Sequence, residues 1–299
     1  MPVEIGFIGL GNMGLPMVRN LAKAGYPLKV FDLQESARTE AAGLDGVEAV
    51  SSAADAVRNA QISFTVLPND EIVRTTYLAE GGILSAAREG LITCDCSTVS
   101  PEVSTSISQA AGEKGVTHMD TPMLGSKPQA ISGDIFFIVA GDEKKVADLV
   151  PLLEAMGRLH MFVGPSGTAN QIKLIHNILG AVNSVAVAES LAMCVQSGVD
   201  PRTFSQVVTN GGGMAFSTYF GKRVERILDG DFSPQFSVEL MHKDVSLALG
   251  MAKDATALPI MSETLDTFAQ GVEGGWRHED FSAVTHVIEK RIGRKLSDQ

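Results

Sequence analysis

"VEIGFIGLGNMGLPMVRNLAKAG" (residues 3–25) carries two periods in succession. Residues 3–10 are of strand length and apolar but for Glu4, and 13–25 space their apolar residues as a helix does until Gly25. Between the two, Gly9, Gly11 and Gly14 stand as G-x-G-x-x-G. The spacing alone does not make a site. Directly after a strand and at the mouth of a helix it has a mechanism. Gly9 allows the tight turn, Gly11 lets the backbone approach a pyrophosphate, and Gly14 lets helix and strand pack closely. The turn, with Leu10, Asn12 and Met13, then offers N–H groups at a helix N-terminus to the phosphates. A second strand over 27–33 brings in Asp32, where a carboxylate suits a ribose 2′-hydroxyl and repels a 2′-phosphate. NAD is therefore the expected cofactor; Arg38, further on, keeps NADP open.

Outward from this unit, short apolar runs alternate with helical patterns. Strands are expected at 62–68, 91–98, 117–124 and 135–141. That alternation reads as an α/β fold, a Rossmann-type doubly wound parallel sheet. After "MFVGPSG" (161–167) the strand-like runs stop. Helices are expected over 168–197, 201–210, 217–228, 237–254, 259–272 and 279–292, separated by Gly, Pro and Asp. The shift divides the chain into a dinucleotide-binding domain, 1–164, and an all-α substrate and oligomerisation domain, 165–299, joined by the long helix that opens the second.

Composition bounds the partners. The chain has 299 residues, 44% of them hydrophobic, with a net charge of −11 and a pI near 5.0. That balance argues against nucleic acid and anionic membrane, which require a basic face. It leaves room for a small anion at a local positive site. Three cysteines form no disulfide framework, which fits a reducing compartment. No signal peptide is read at the N-terminus, and no apolar run is read as reaching the ~20 residues of a membrane span. A soluble, cytoplasmic protein is expected. Cys94 and Cys96 alternate along one strand and read as core positions. The six histidines show no metal-binding spacing, so no metal is expected.

Other strand ends supply candidates, because ligands of open α/β sheets bind at the carboxyl edge. Leu67, Pro68 and Asn69 either wall the cofactor or form an ordinary turn. Ser97 and Thr98 place hydroxyls near a nicotinamide or substrate. In "DTPMLGSKPQAISGDI" (120–135), Gly125 and Ser126 permit a tight loop with N–H groups for a carboxylate, and Lys127 adds a charge; a plain surface turn is the alternative. In "GTANQIKLIHN" (167–177), Lys173 shares a face with Asn170, Asn177 and, further on, Ser184. Ile172, Ile175, Leu179, Val182 and Ala186 lie opposite and read as the core face. The lysine is then either a catalytic group beside a cavity or a snorkelling side chain.

Four of these segments, in this order, resemble the β-hydroxyacid dehydrogenase family, which includes 3-hydroxyisobutyrate dehydrogenase and tartronate semialdehyde reductase. They are residues 6–25, residues 120–135, the G-x-x-x-x-x-K-x-x-x-N of 167–177, and "HKDVSLAL" (242–249). The resemblance spans almost the whole chain. It implies that Lys173 is the general acid/base and that Asn177 holds substrate and lysine. It also implies that Lys243 reaches cofactor and substrate, that Leu124, Gly125 and Ser126 bind a substrate carboxylate, and that Ser97 or Thr98 touches the cofactor near its reacting ring. One departure stands out: the family's S-G-G is Leu124-Gly125-Ser126 here, which removes a hydroxyl and makes that wall apolar.

The chemistry explains a lysine at this place. Oxidising an alcohol moves a hydride to the cofactor, and the protein must take the proton. A free lysine, with a pKa of ~10.4, is a poor base near neutrality, and burial and a helix N-terminus both lower that value. The small anionic substrate expected is a β-hydroxy acid. A reductase of imines on the same architecture and a cofactor-binding sensor without turnover are the competing readings. The apolar surface of the long helix exceeds what one small domain covers, so a homodimer or homotetramer is expected.

Overall fold

A computed structural model describes residues 3–296 of the chain, which divides into two compact units, Met1–Lys173 and Leu174–Gln299. The expected domain boundary lay at 164/165; the division by contacts falls inside the long helix, at 173/174.

The first unit is built on a nine-stranded sheet: β1 (Ile5–Ile8), β2 (Leu28–Phe31), β3 (Val47–Ala49), β4 (Ile62–Thr65), β5 (Ile92–Asp95), β6 (Thr117–Asp120), β7 (Met123–Leu124), β8 (Ile135–Ala140) and β9 (Gly157–Gly164). The order is β3-β2-β1-β4-β5-β6-β8-β7, with β9 also paired to β8. Strands β1 to β6 are parallel. Every residue of β1, β4 and β5 is buried, because helices cover both faces. On one face Phe7, Val30, Phe64 and Met119 pack against Met17, Val18 and Leu21 of the first helix (Gly14–Lys23). On the other, Ile8 packs with Val57, Val73, Tyr77, Val103 and Ile107.

Register places the site. Ile8 pairs with Phe31 and with Thr65, Thr65 with Asp95, and Asp95 with Asp120. These residues form one row along the carboxyl edge of the sheet. The turns that leave that row carry Gly9, Asp32, Leu67, Ser97 and, past Pro122, Leu124. The strand order reverses between β1 and its neighbours β2 and β4, the position where such sheets open a crevice.

The doubly wound parallel sheet is as expected, with one local addition: β8 runs antiparallel to β6 and β7. Between β7 and β8 the chain has room only for the short helix Lys127–Ser132, and a parallel return requires a crossover of about a dozen residues or more. The single strand expected over 117–124 is two, interrupted at Thr121 and Pro122, since proline cannot donate to a ladder. β3 was not expected; its three residues, Val-Glu-Ala, are too short and too polar to show a period.

The second unit is helical: Pro201–Gly211, Thr218–Leu228, Val238–Gly250, Pro259–Gly271 and Thr285–Ile292, with the greater part of the long helix Thr168–Ser197. The helix expected over 237–254 stops at Gly250. The one expected from 279 begins as the 3-10 turn Phe281–Val284 and becomes α-helical at Thr285.

The long helix turns its faces opposite to expectation. Asn170, Asn177, Ala181 and Ser184 are the buried side, whereas Ile172, Ile175 and Leu179 are exposed at 40%, 56% and 56%. The polar side goes inward because it finds partners there. The Asn170 carboxamide accepts the Val99 N–H at 3.2 Å and donates to Ser104 Oγ at 3.0 Å. Asn177 donates to Asp244. The helix also overturns the expectation that no segment is apolar and long enough to span a membrane: by length and hydropathy it is. Half of that apolar window packs inside the chain, and the buried amides Asn170 and Asn177 have their partners there.

One buried carboxylate organises the second unit. Asp280 is fully buried and accepts from Arg223 Nε (3.0 Å), Gln235 N (3.1 Å), Ser282 N (3.2 Å) and Ser282 Oγ (2.8 Å). Removing one partner of such a pair strands the other charge in the interior. Asp280→Ala is expected to lower unfolding free energy by about 3–5 kcal/mol, read as a drop in the urea midpoint. A loss below about 1 kcal/mol would contradict this account of the cluster.

Candidate active site

The three glycines of the first turn have different reasons to be glycine. Gly9 sits at φ +95, and a Cβ there would lie 2.2 Å from the Val66 carbonyl oxygen. A Cβ on Gly14 would lie 1.9 Å from the Gly9 carbonyl oxygen. Both are required by the protein's own packing. A Cβ on the exposed Gly11 would meet nothing within 4 Å. Its smallness keeps a space open beside the start of the first helix. That helix begins with no side-chain cap and no acidic residue in its first turn. Its first N–H groups have no partner within the helix, as at any helix start.

Asp32 serves this turn directly. Its Oδ2 accepts the Leu10 N–H at 2.7 Å, and Oδ1 accepts the Gln34 N–H at 2.8 Å. Arg38 Nη1 donates to the carbonyls of Asp32 (2.5 Å) and Leu33 (3.2 Å), and the guanidinium lies 5.9 Å from the centre of the Phe31 ring. An open space over Gly11, an uncapped helix start and a carboxylate beside the turn fit a nicotinamide dinucleotide. Asn12 is exposed there, and Met13 is half-buried.

The next two strand ends are tied together by Asp95, almost fully buried. Asp95 Oδ1 accepts from Thr65 Oγ1 (2.7 Å), Ser97 N (3.1 Å) and Ser97 Oγ (2.5 Å). Ser97 Oγ in turn accepts the Leu67 N–H at 2.8 Å. The Ser97 hydroxyl therefore joins the turn after β5 to the turn after β4 and is itself buried. Burial pushes the Asp95 carboxyl above its ordinary pKa, against the pull of the Ser97 and Thr65 hydrogen bonds. Asp120, next in the row, is raised for the same reason; both its oxygens accept the Gly167 N–H at 3.1 Å. Leu67 is half-buried and Pro68 exposed, while the Asn69 side chain caps the helix Asp70–Leu78 by accepting Ile72 N–H. Thr98 is half-buried.

The β7–β8 loop is closed on itself. Leu124 is half-buried on β7, and Gly125 takes φ +143. The Ser126 N–H and hydroxyl both donate to Gln129 Oε1, at 2.9 and 2.7 Å, in a capping box. Lys127 is exposed. Cys94 and Cys96 share one hydrophobic cluster, and Cys96 Sγ lies 3.2 Å from Thr121 Oγ1. Burial raises both thiols, Cys96 to about 12, and Cys194 is raised as well.

Lys173 lies half-buried in the second turn of the long helix, at the last position of the first unit. In the second unit, Asn177 Nδ2 donates to Asp244 Oδ2 at 2.6 Å. Lys243 Nζ is 2.9 Å from Asp244 Oδ1, and His176 Nδ1 is 3.1 Å from Asn177 Oδ1. Asp95, Asp120, Gln129 and Asp244 were not singled out from sequence. For Asp95 and Asp120 a signal existed: an acid closing a buried strand at the ligand edge.

A glycine turn at the strand reversal and an acid following β2 are the parts of a dinucleotide-binding sheet. Residues 4–189 match the family model described as the NAD binding domain of 6-phosphogluconate dehydrogenase. Residues 167–288 match that described as NAD-binding of NADP-dependent 3-hydroxyisobutyrate dehydrogenase. The chain is 34% identical to 2-(hydroxymethyl)glutarate dehydrogenase of Eubacterium barkeri, covering 99% of this chain and 98% of that one. It is also 34% identical to NAD-dependent L-serine dehydrogenase of Pseudomonas aeruginosa, covering 97% and 99%. A solved structure of Mycobacterium tuberculosis 3-hydroxyisobutyrate dehydrogenase with L-serine superposes with a TM-score of 0.86 at 31% identity, over 96% of this chain and 99% of that one. An imine reductase from Bacillus cereus, 17% identical with a TM-score of 0.63, shares the fold alone.

The chain belongs to the β-hydroxyacid dehydrogenase family. It is an NAD(P)-dependent dehydrogenase of hydroxy acids.

Gly11 and Gly14 separate binding from folding. Gly11→Ala is expected to leave the urea midpoint unchanged and weaken NADH binding about tenfold or more, because its methyl enters the open space. Gly14→Ala is expected to destabilise by about 1–3 kcal/mol or more, since the backbone must shift. Equal effects of the two on stability would contradict the assignment.

Proposed function

We propose that Lys173 is the general acid/base of a dehydrogenase acting on short 3-hydroxy acids, with NAD as the preferred cofactor. The observation that carries the reading is the placement of Lys173. It is half-buried and stands four residues before Asn177, on the same face of the long helix, and the Asn177 amide is held by Asp244. The cofactor supplies hydride transfer. Lys173 takes the hydroxyl proton in oxidation and returns it in reduction. Asn177 and Lys243 assist it, holding substrate and lysine in place. Asp32 favours NAD, because it serves the turn as an acceptor and would repel a 2′-phosphate. Gly9, Leu10, Gly11, Asn12, Met13 and Gly14 cradle the pyrophosphate. Leu67, Pro68, Asn69 and Thr98 wall the cofactor, with Ser97 bracing that wall.

The relatives' named substrates support the substrate class. 2-(Hydroxymethyl)glutarate, L-serine and 3-hydroxyisobutyrate share a primary alcohol and a carboxylate on the two neighbours of one carbon, and differ in what else that carbon carries. This chain's substrate has the same core. Leu124, Gly125 and Ser126 are proposed to receive its carboxylate end, and Leu124 supports an uncharged third substituent. Three buried cysteines without disulfides fit a cytoplasmic enzyme.

Initial rates with NAD and with NADP test this on a panel of 3-hydroxy acids differing only at that carbon. Activity with NAD on at least one member is expected. In Lys173→Ala, kcat is expected to fall by about 10²–10⁴-fold with NADH binding intact. A variant that keeps its rate would remove Lys173 from the mechanism.

The same proposal includes a homodimer or homotetramer. Ile172, Ile175 and Leu179 recur at the i, i+3, i+7 spacing of a helix-packing stripe and are exposed in the single chain. Light scattering is expected to give a multiple of 31.6 kDa, and Ile175→Lys with Leu179→Lys to shift it toward the monomer. A monomer mass for the wild type at micromolar concentration would refute it.

A further inference from the structure

Asp244 is a carboxylate that joins two of the residues placed in the proton-handling group, Asn177 and Lys243, and nothing in the motif spacing gave it a task. It lies on the helix Val238–Gly250 and is 1% exposed. A buried ion is expensive unless its oxygens are partnered. Here one oxygen accepts from Asn177 Nδ2 at 2.6 Å, the short distance of a charge-assisted bond. The other faces Lys243 Nζ at 2.9 Å, an ion pair whose ammonium approaches off the line of a directed hydrogen bond.

The chemistry of these groups removes an ambiguity. An asparagine amide has a donor end and an acceptor end, and only its partners decide which points where. A carboxylate accepts and cannot donate. Asp244 therefore holds the NH2 end of Asn177 toward itself and turns the carbonyl oxygen away. That oxygen is 3.1 Å from His176 Nδ1, which must then carry a proton. The polarity of the whole chain, His176 to Asn177 to Asp244, is set by the single group that can only accept. The same group fixes Lys243.

We infer that Asp244 is a positioning residue of the dehydrogenase reaction: it locks Asn177 with its carbonyl oxygen presented as an acceptor and anchors the Lys243 ammonium. The inference rests on the roles proposed above for Asn177 and Lys243. With asparagine at 244 the partner can donate as well as accept. The Asn177 amide is then free to turn over, and a donor replaces the acceptor it presents. A small misplacement of this kind at a reacting centre costs about 10²-fold in rate.

The test compares wild type, Asp244→Asn and the exchange Asn177→Asp with Asp244→Asn. Each is measured for kcat, KM, NADH dissociation constant by fluorescence and thermal midpoint. Asp244→Asn is expected to lose about 10²-fold in kcat, well beyond any weakening of NADH binding that follows from loosening Lys243, with the thermal midpoint kept. The exchange keeps the net charge, again sets one donor against one acceptor, and leaves only an acceptor at 177. It is expected to recover about tenfold or more of the loss at its own pH optimum. Wild-type kcat in Asp244→Asn overturns the inference. So does an exchange that restores the thermal midpoint without the rate. So does a parallel fall of kcat, NADH affinity and midpoint in Asp244→Asn, which is what a purely structural carboxylate would give. Should wild type turn over no hydroxy acid, the reading beneath the inference fails first, before any variant is made.

Discussion

The contact on which the first unit depends is the approach of the first helix to the turn that precedes it. Only a residue with no Cβ lets that helix start so close to the Gly9 carbonyl. The approach sets the helix N-terminus over the end of β1, at the reversal of strand order. The other strand ends then fall into line by register. Phe31, Ile8, Thr65, Asp95 and Asp120 form one row, and each turn leaving it delivers a candidate residue. Asp32 holds the glycine turn from one side through the Leu10 N–H, and Val66 closes it from the other.

A second constraint acts along the long helix. Its polar residues are few, and each buried one requires a partner. Asn170 finds Val99 and Ser104, and Asn177 finds Asp244. Those bonds choose the helix's inward side and leave Ile172, Ile175 and Leu179 outward. Burial of amides is thus what orients Lys173's own face, because Asn170 and Asn177 lie three and four residues from it.

What the sequence made legible followed from local patterns with a mechanism. The strand, glycine turn, helix and acid of the cofactor site are contiguous, so period and spacing suffice to read them. The long helix was read to its ends, 168 and 197, because nothing breaks it. Its inward face was misread, since both sides are apolar enough to pack and the deciding partners lie far away in the chain. Asn177 and Asp244 are 67 residues apart, and no local period encodes such a pair. Asp95 was passed over for a related reason: its partners, Thr65 and Ser97, sit on neighbouring turns that only the sheet register brings together. β3 and β7, of three and two residues, fall below any detectable period. The antiparallel β8 looks like a parallel strand in composition; the brevity of the segment after Leu124 was the available clue.

The three thiols have a practical side. Cys94 and Cys96 lie within the first unit's core and Cys194 is 7% exposed, and burial raises all three thiols above their ordinary pKa. The nucleophile in alkylation and disulfide exchange is the thiolate. Burial and a raised pKa both slow the attack of maleimides and iodoacetamide on these thiols while the protein stays folded. A single cysteine introduced on its surface becomes the reactive one, so a dye or spin label can be placed at a chosen point without first stripping the chain of its own sulfur.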